Sequence, residues 1–178
     1  MFNNWYIDDR YRVLSAQMQP LVAYCASKHK GGECYFNELD AMIKCNYELL
    51  ENFIKWATEH SGCNCIVMSG KIGEIVKKYI AYKLPDIRFV VMSGGLRHDE
   101  FYKKQYNRLN FLLQDRNLLP LHDAIFIDDS LYSGKTYDRV QSLAEFYRTR
   151  IKGAYVFYDG SKEKRNDVIS LYRYLLEV

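Results

Sequence analysis

AIFIDDSLYSGKTYDRV, residues 124–140, is the stretch on which the fold turns. The apolar run Ala124 to Ile127 ends abruptly in two carboxylates, Asp128 and Asp129. Ser133-Gly134-Lys135-Thr136 then leads into a segment with helical spacing. A buried strand that delivers two acids, followed by an anion-friendly turn into a helix start, describes a site.

Working outward, Cys65-Ile66-Val67-Met68 is a second short apolar run, bounded by Asn64 and Ser69-Gly70, and reads as a buried strand. A helix is expected over 72–82 and, past Pro85, a strand over 87–92 that closes with Ser93-Gly94-Gly95. Residues 96–119 place Phe101, Leu109, Leu112 and Leu113 at helical spacing, with Arg97, Lys103, Lys104 and Arg108 making the first part basic. After the organising strand, Val140, Leu143, Ala144 and Tyr147 space as one helix face. Arg148, Arg150 and Lys152 read as its basic end and Gly153 as its stop. A strand over 154–158, a charged loop and a C-terminal helix from about Asp167 complete the pattern.

Strands alternating with helices imply a parallel sheet with right-handed crossovers. Ligands of such sheets bind beyond the carboxyl ends of the strands. Four strand ends would share that rim: Ser69-Gly70-Lys71, Ser93-Gly94-Gly95, Asp128 to Thr136, and Asp159-Gly160.

The first sixty residues carry no strong strand pattern. Asp8 or Asp9 can cap a helix through Val13, Leu14, Met18, Leu21, Val22 and Cys25, which Pro20 must kink or divide in two. Gly31-Gly32 ends it. Asn37 can cap a second, long helix ending near Ser61-Gly62. The expected division is a helical unit over 1–61 and an α/β core with its C-terminal helix over 62–178.

With 178 residues, 48% of them hydrophobic and 26% charged, the chain can bury one sizeable core. A net charge of +3 is too small to argue for nucleic acid. The start of the chain has no apolar leader-like run, and no stretch approaches membrane-spanning length, so a cytoplasmic protein is expected. Five cysteines at irregular spacing do not make a disulfide framework. Cys25 with His29, and His60 with Cys63-Asn64-Cys65, lack the paired spacing of a structural zinc site. The 16 tyrosines are scattered.

Gly134-Lys135-Thr136 spells the end of a nucleotide-binding P-loop. That loop needs a glycine where Asp129 stands, and a carboxylate there would point at the triphosphate. No G-x-G-x-x-G follows any strand, and the two acids are adjacent rather than separated by one residue.

The order of chemistries in AIFIDDSLYSGKT resembles the phosphoribosyl-pyrophosphate (PRPP) motif of the type I phosphoribosyltransferases, over a core of about residues 62–160. Tyr132 is the departure, since the family usually has a small residue there. The resemblance implies a Rossmann-like parallel sheet flanked by helices, with the N-terminal helices as a hood. It also implies transfer of the phosphoribosyl group of PRPP to a nitrogenous base, with release of pyrophosphate and with Mg²⁺ as cofactor. Asp128 and Asp129 would accept the ribose hydroxyls and favour the cationic ribose, with contact to Mg²⁺ only through water. Ser130, Leu131, Tyr132, Ser133, Gly134, Lys135 and Thr136 would hold the 5′-phosphate, and Ser69, Gly70 and Lys71 the pyrophosphate. Arg97, Lys103 and Lys104 are candidates for a lid, and Tyr158 and Asp159 for the base side. Relatives often dimerise, so a homodimer is implied.

Two simpler readings stand beside these. The acids could only cap the next helix, and the charged residues of 96–108 could coat a solvated face. Tyr132, a lid segment that reads as helix, and the lack of a base-specific signature also allow a non-catalytic PRPP- or nucleotide-binding regulatory protein on the same fold.

Overall fold

The computed structural model describes residues 9–27, 41–92, 96, 98–112 and 122–173. The proposed caps at Asp8 and Asn37, the Gly31-Gly32 stop and the Ser93-Gly94-Gly95 strand end lie outside them.

Pro20 divides the first helical pattern into α1 (Asp9–Gln17) and α2 (Gln19–Ser27). Met18 joins the two: its N–H bonds the Leu14 carbonyl at 2.9 Å and its carbonyl takes the Val22 N–H at 3.0 Å. A helical turn at 41–44 precedes α3 (Tyr47–Ser61), which buries Leu50, Phe53, Ile54, Trp56 and Ala57 and stops at left-handed Gly62. Then come β1 (Cys65–Ser69), α4 (Gly70–Tyr79), a 3₁₀ turn (Ala81–Lys83), β2 (Arg88–Met92), α5 (Asp99–Leu112), β3 (His122–Leu131), α6 (Lys135–Phe146), β4 (Thr149–Asp159) and β5 (Val168–Arg173).

The five strands form one sheet, ordered β2-β1-β3-β4-β5, and every pairing is parallel. Helices cover both faces, which is why the central strands read as nearly unbroken apolar runs. One face carries Ile66, Met68, Ile125, Ile127, Tyr155 and Phe157 against α1, α2, α3 and α4. There Phe53 meets Phe157 edge to face, with centroids 5.0 Å apart. The other face carries Val67, Ala124, Phe126, Ala154 and Val156 against Tyr137, Val140 and Leu143 of α6 and against Leu96. This is the Rossmann-like, helix-flanked parallel sheet expected from the sequence. Among the described residues no helix is long and apolar enough to cross a membrane.

Two stretches depart from the sequence reading. Helix α6 ends at Phe146, and the chain reverses at Arg148, whose φ of 52° is left-handed, so Gly153 is not a helix stop. Gly153 lies inside β4, where an added Cβ would stand 2.9 Å from the Asp167 carbonyl oxygen. Arg150 is correspondingly a strand residue, bonded twice to Asp123 of β3 at 2.9 and 3.0 Å.

The expected C-terminal helix is the second correction, because residues 168–173 are a strand. Val168 and Leu171 have helical spacing, but Val168-Ile169 is β-branched. The open edge of β4 also offers paired backbone partners from Ala154↔Val168 to Asp159↔Arg173. The link between β4 and β5, residues 160–167, contains no helix and returns along the sheet as a strap.

The order of crossovers locates the site. From β1 the chain passes into α4 on the first face, and from β3 into α6 on the second. Adjacent strands whose connections leave toward opposite faces open a crevice between their carboxyl ends. Here that crevice lies between Ser69-Gly70 and Asp128-Asp129.

Candidate functional site

Register fixes the floor of the crevice. Met68 pairs with Ile127, so Ser69 ends β1 beside Asp128. Ser69 is buried and extended, and Gly70 opens α4 with a φ of 64°, a left-handed turn that an L side chain resists. Lys71 is exposed on the first turn of α4.

The two acids are held differently. Asp129 is 6% exposed, and one of its oxygens accepts the Ser130 hydroxyl at 2.8 Å. Asp128 accepts the Asp129 N–H at 3.0 Å. Burial first, and the neighbouring Asp129 charge second, push the Asp128 carboxyl well above the usual carboxylate range. A pair in this state favours a proton, a hydroxyl donor or a cation between itself and solvent.

Beyond Leu131 the chain bends through Tyr132 and Ser133 to Gly134, the left-handed N-cap of α6 with a φ of 74°. A glycine cap has no side-chain acceptor to offer the first-turn N–H groups. Ser133 and Lys135 are exposed, Thr136 is half-buried, and the Lys135 N–H reaches the Ser133 hydroxyl at 3.4 Å. The macrodipole of α6 adds positive potential at this end.

Tyr132 links the loop to α2. Its hydroxyl donates to the Cys25 carbonyl in the last turn of α2 at 2.8 Å, and its ring packs 5.9 Å from that of Tyr158. Tyr158 is 1% exposed and stacks in turn on Tyr172. Asp159 accepts the Ser161 N–H at 2.9 Å and hydroxyl at 2.5 Å, and pairs with Arg173 at 3.3 Å. Both base-side candidates are thus engaged by protein neighbours at the edge of the rim.

Of the lid candidates, Arg97 lies outside the described residues, while Lys103 and Lys104 are exposed on α5. The start of α5 is tethered. The Arg139 guanidinium on α6 donates to the Leu96 carbonyl and to Asp99, and lies over the Tyr102 ring at 4.9 Å. Buried Leu96 anchors the same segment in the second-face core.

A cavity of about 610 Å³ opens elsewhere, between β2, α5 and the C-terminal end of α6, with Arg88, Val90, Leu109 and Leu143 in its wall. None of the paired acids or the glycine turns lines it. The polar crevice and this cavity occupy different places. Among the described residues no three His, Cys, Asp or Glu side chains converge to hold a metal, and Cys25, Cys45, Cys63 and Cys65 are free thiols.

One residue at the rim carries no individual signal in the sequence. Arg165, in the strap, brings Nη1 to 3.0 Å from the position a Gly134 Cβ would occupy. It sits within the charged run Lys162-Glu163-Lys164-Arg165, which gives no local signal that one member folds back onto α6.

Fold and rim together define an α/β protein with a polar crevice at a topological switch point. No family model matches the sequence, and no curated protein is significantly similar to it. Among solved structures, the crystal structure of adenine phosphoribosyltransferase from Thermoanaerobacter pseudethanolicus is similar, with a TM-score of 0.45 and 12% identity. The match covers 74% of this chain and 84% of that one. That likeness is slight, and the functional reading rests on the chain's own rim.

Proposed function

We propose that the crevice binds PRPP and that the protein transfers its phosphoribosyl group to a nitrogenous base, releasing pyrophosphate. The observation that carries this reading is the placement of Ser69-Gly70 beside Asp128-Asp129 at the switch point, with the glycine-capped start of α6 a few residues further on. A ligand with an anion at each end and a diol between them matches that order of groups.

In this reading the N–H groups of Ser130 to Thr136, with the hydroxyls of Ser133 and Thr136, hold the 5′-phosphate. Ser69, Gly70 and Lys71 hold the pyrophosphate, with Lys103 or Lys104 approaching from α5. Asp128 and Asp129 accept the 2′- and 3′-hydroxyls, and their charge favours the electron-poor ribose carbon as pyrophosphate departs. The donor set fits Mg²⁺ carried in mainly on ligand oxygens and water, since two adjacent carboxylates suit an oxygen-seeking ion that keeps its waters. When bound, Mg²⁺ would neutralise the diphosphate. Tyr158 and Asp159 support the base side from beneath.

A second reading, a regulatory protein that binds PRPP or a nucleotide without turnover, is favoured by two tethers: Tyr132 to Cys25, and Arg139 to Leu96 and Asp99. Both restrain segments that flank the crevice.

Calorimetric titration with PRPP and Mg²⁺, followed by a pyrophosphate-release assay over a panel of bases, tests both. Binding with release supports transfer, and binding without release supports the regulatory reading. If PRPP does not bind, both fail.

A further inference from the structure

We infer that Arg165 is a ligand for the phosphate in the α6 cradle, exchanging Asp138 for that phosphate when it arrives. The inference rests on the phosphate site proposed above and adds to it a residue from the strap between β4 and β5.

Arg165 is anchored on one side and replaceable on the other. Nε and Nη2 bond the two oxygens of Asp167 at 3.2 and 3.4 Å, fixing the plane of the guanidinium within the strap. The guanidinium also lies over the Tyr137 ring, 4.7 Å from its centre. Nη1 points the other way, to Asp138 Oδ1 at 2.5 Å, and crowds the Cβ side of Gly134. A cation from outside the turn thus already lies against the left-handed glycine that caps α6.

The two carboxylates are not equivalent partners. Asp138 is 56% exposed, so water takes over its oxygen readily when the bond to Nη1 is lost. Asp167 is more buried and lies in the same strap as the arginine, so it keeps the guanidinium in place. A phosphate dianion offers more charge and more acceptor oxygens than one carboxylate, and the planar fork of arginine suits it. Rotation of the exposed Asp138 side chain away from Nη1 frees that group for a phosphate oxygen, while Asp167 keeps the guanidinium where it is.

The test is calorimetric binding of ribose 5-phosphate and of pyrophosphate, separately, to the wild-type chain and to R165Q, R165K and D138N, each checked by thermal melting. R165Q is expected to weaken ribose 5-phosphate by about tenfold to a hundredfold and to leave pyrophosphate unchanged. R165K, with charge but no fork, should lose severalfold. D138N, altered at an exposed position, should bind ribose 5-phosphate severalfold tighter. Equal binding by wild type, R165Q and R165K, equal loss of both ligands in R165Q, or weaker binding by D138N would each overturn the inference while leaving the PRPP reading intact. Failure of the wild-type chain to bind PRPP or ribose 5-phosphate would overturn the PRPP reading itself, and the inference with it.

Discussion

The Tyr132 hydroxyl donates to the carbonyl oxygen of Cys25 at 2.8 Å, across 107 residues of sequence. The bond ties the loop after the paired acids to the end of α2 and satisfies a carbonyl that the helix end leaves open. Tyr132→Phe keeps the ring on Tyr158 and removes only the hydroxyl. The expected cost is about 1 kcal/mol, seen as a drop of a few degrees in melting temperature. An unchanged melting curve would show that water replaces the tie without loss.

Asp128 supplies a pH dependence with a definite sign. Unfolded, its carboxyl ionises near 3.9. Folded, burial and Asp129 raise it well above that. Between those two values the native state holds the extra proton, so stability contributed by this group falls as pH rises through the window and stays low above it. Asp128→Asn should therefore melt higher than wild type at neutral pH and lose that part of the slope. It should also bind PRPP more weakly, because an amide cannot replace a carboxylate toward ribose hydroxyls and Mg²⁺. A variant less stable than wild type at neutral pH would contradict this account.

Gly70 and Gly134 separate backbone strain from crowding. Both have positive φ, but a Cβ on Gly70 would meet nothing within 4 Å, whereas one on Gly134 would press on Arg165. Gly70→Ala should cost about 1–2 kcal/mol from the left-handed backbone alone. Gly134→Ala should cost more. Denaturant titration of the two variants gives the comparison, and equal losses would mean that Arg165 yields freely.

Arg139 holds the start of α5 through Leu96 and Asp99. Arg139→Ala should speed amide exchange over 99–106 well beyond any change in β1 or β3, since the core beneath does not depend on the exposed half of the contact. Exchange that rises evenly across the sheet would instead make Arg139 part of the global fold.

How much of this was readable in advance follows from the range of each signal. Asp128, Asp129 and Gly134 are neighbours in sequence, so strand, acids and turn were visible together, and the parallel sheet followed from the alternation around them. Val168 to Arg173 read as helix locally because Val168 and Leu171 keep a spacing of three in either structure. What decides for strand is the open edge of β4, which no local pattern reveals. Gly153 misleads for a related reason. A glycine after a helix is usually a stop, but this one makes room for the Asp167 carbonyl. Arg165 and Arg139 were invisible as individuals, because charged side chains acquire meaning only from what the tertiary fold sets opposite them.

The crevice at the switch point has a consequence for the order of assembly. β1, α4 and β2 can pair locally, but Met68 meets Ile127 only after all of β2 and α5 have been laid down between them. Closing that long loop is an entropic cost that local pairing does not carry. Both walls of the crevice therefore exist only once the central long-range contact has formed. On the reading proposed above, PRPP seated there would hold that contact closed and so slow unfolding.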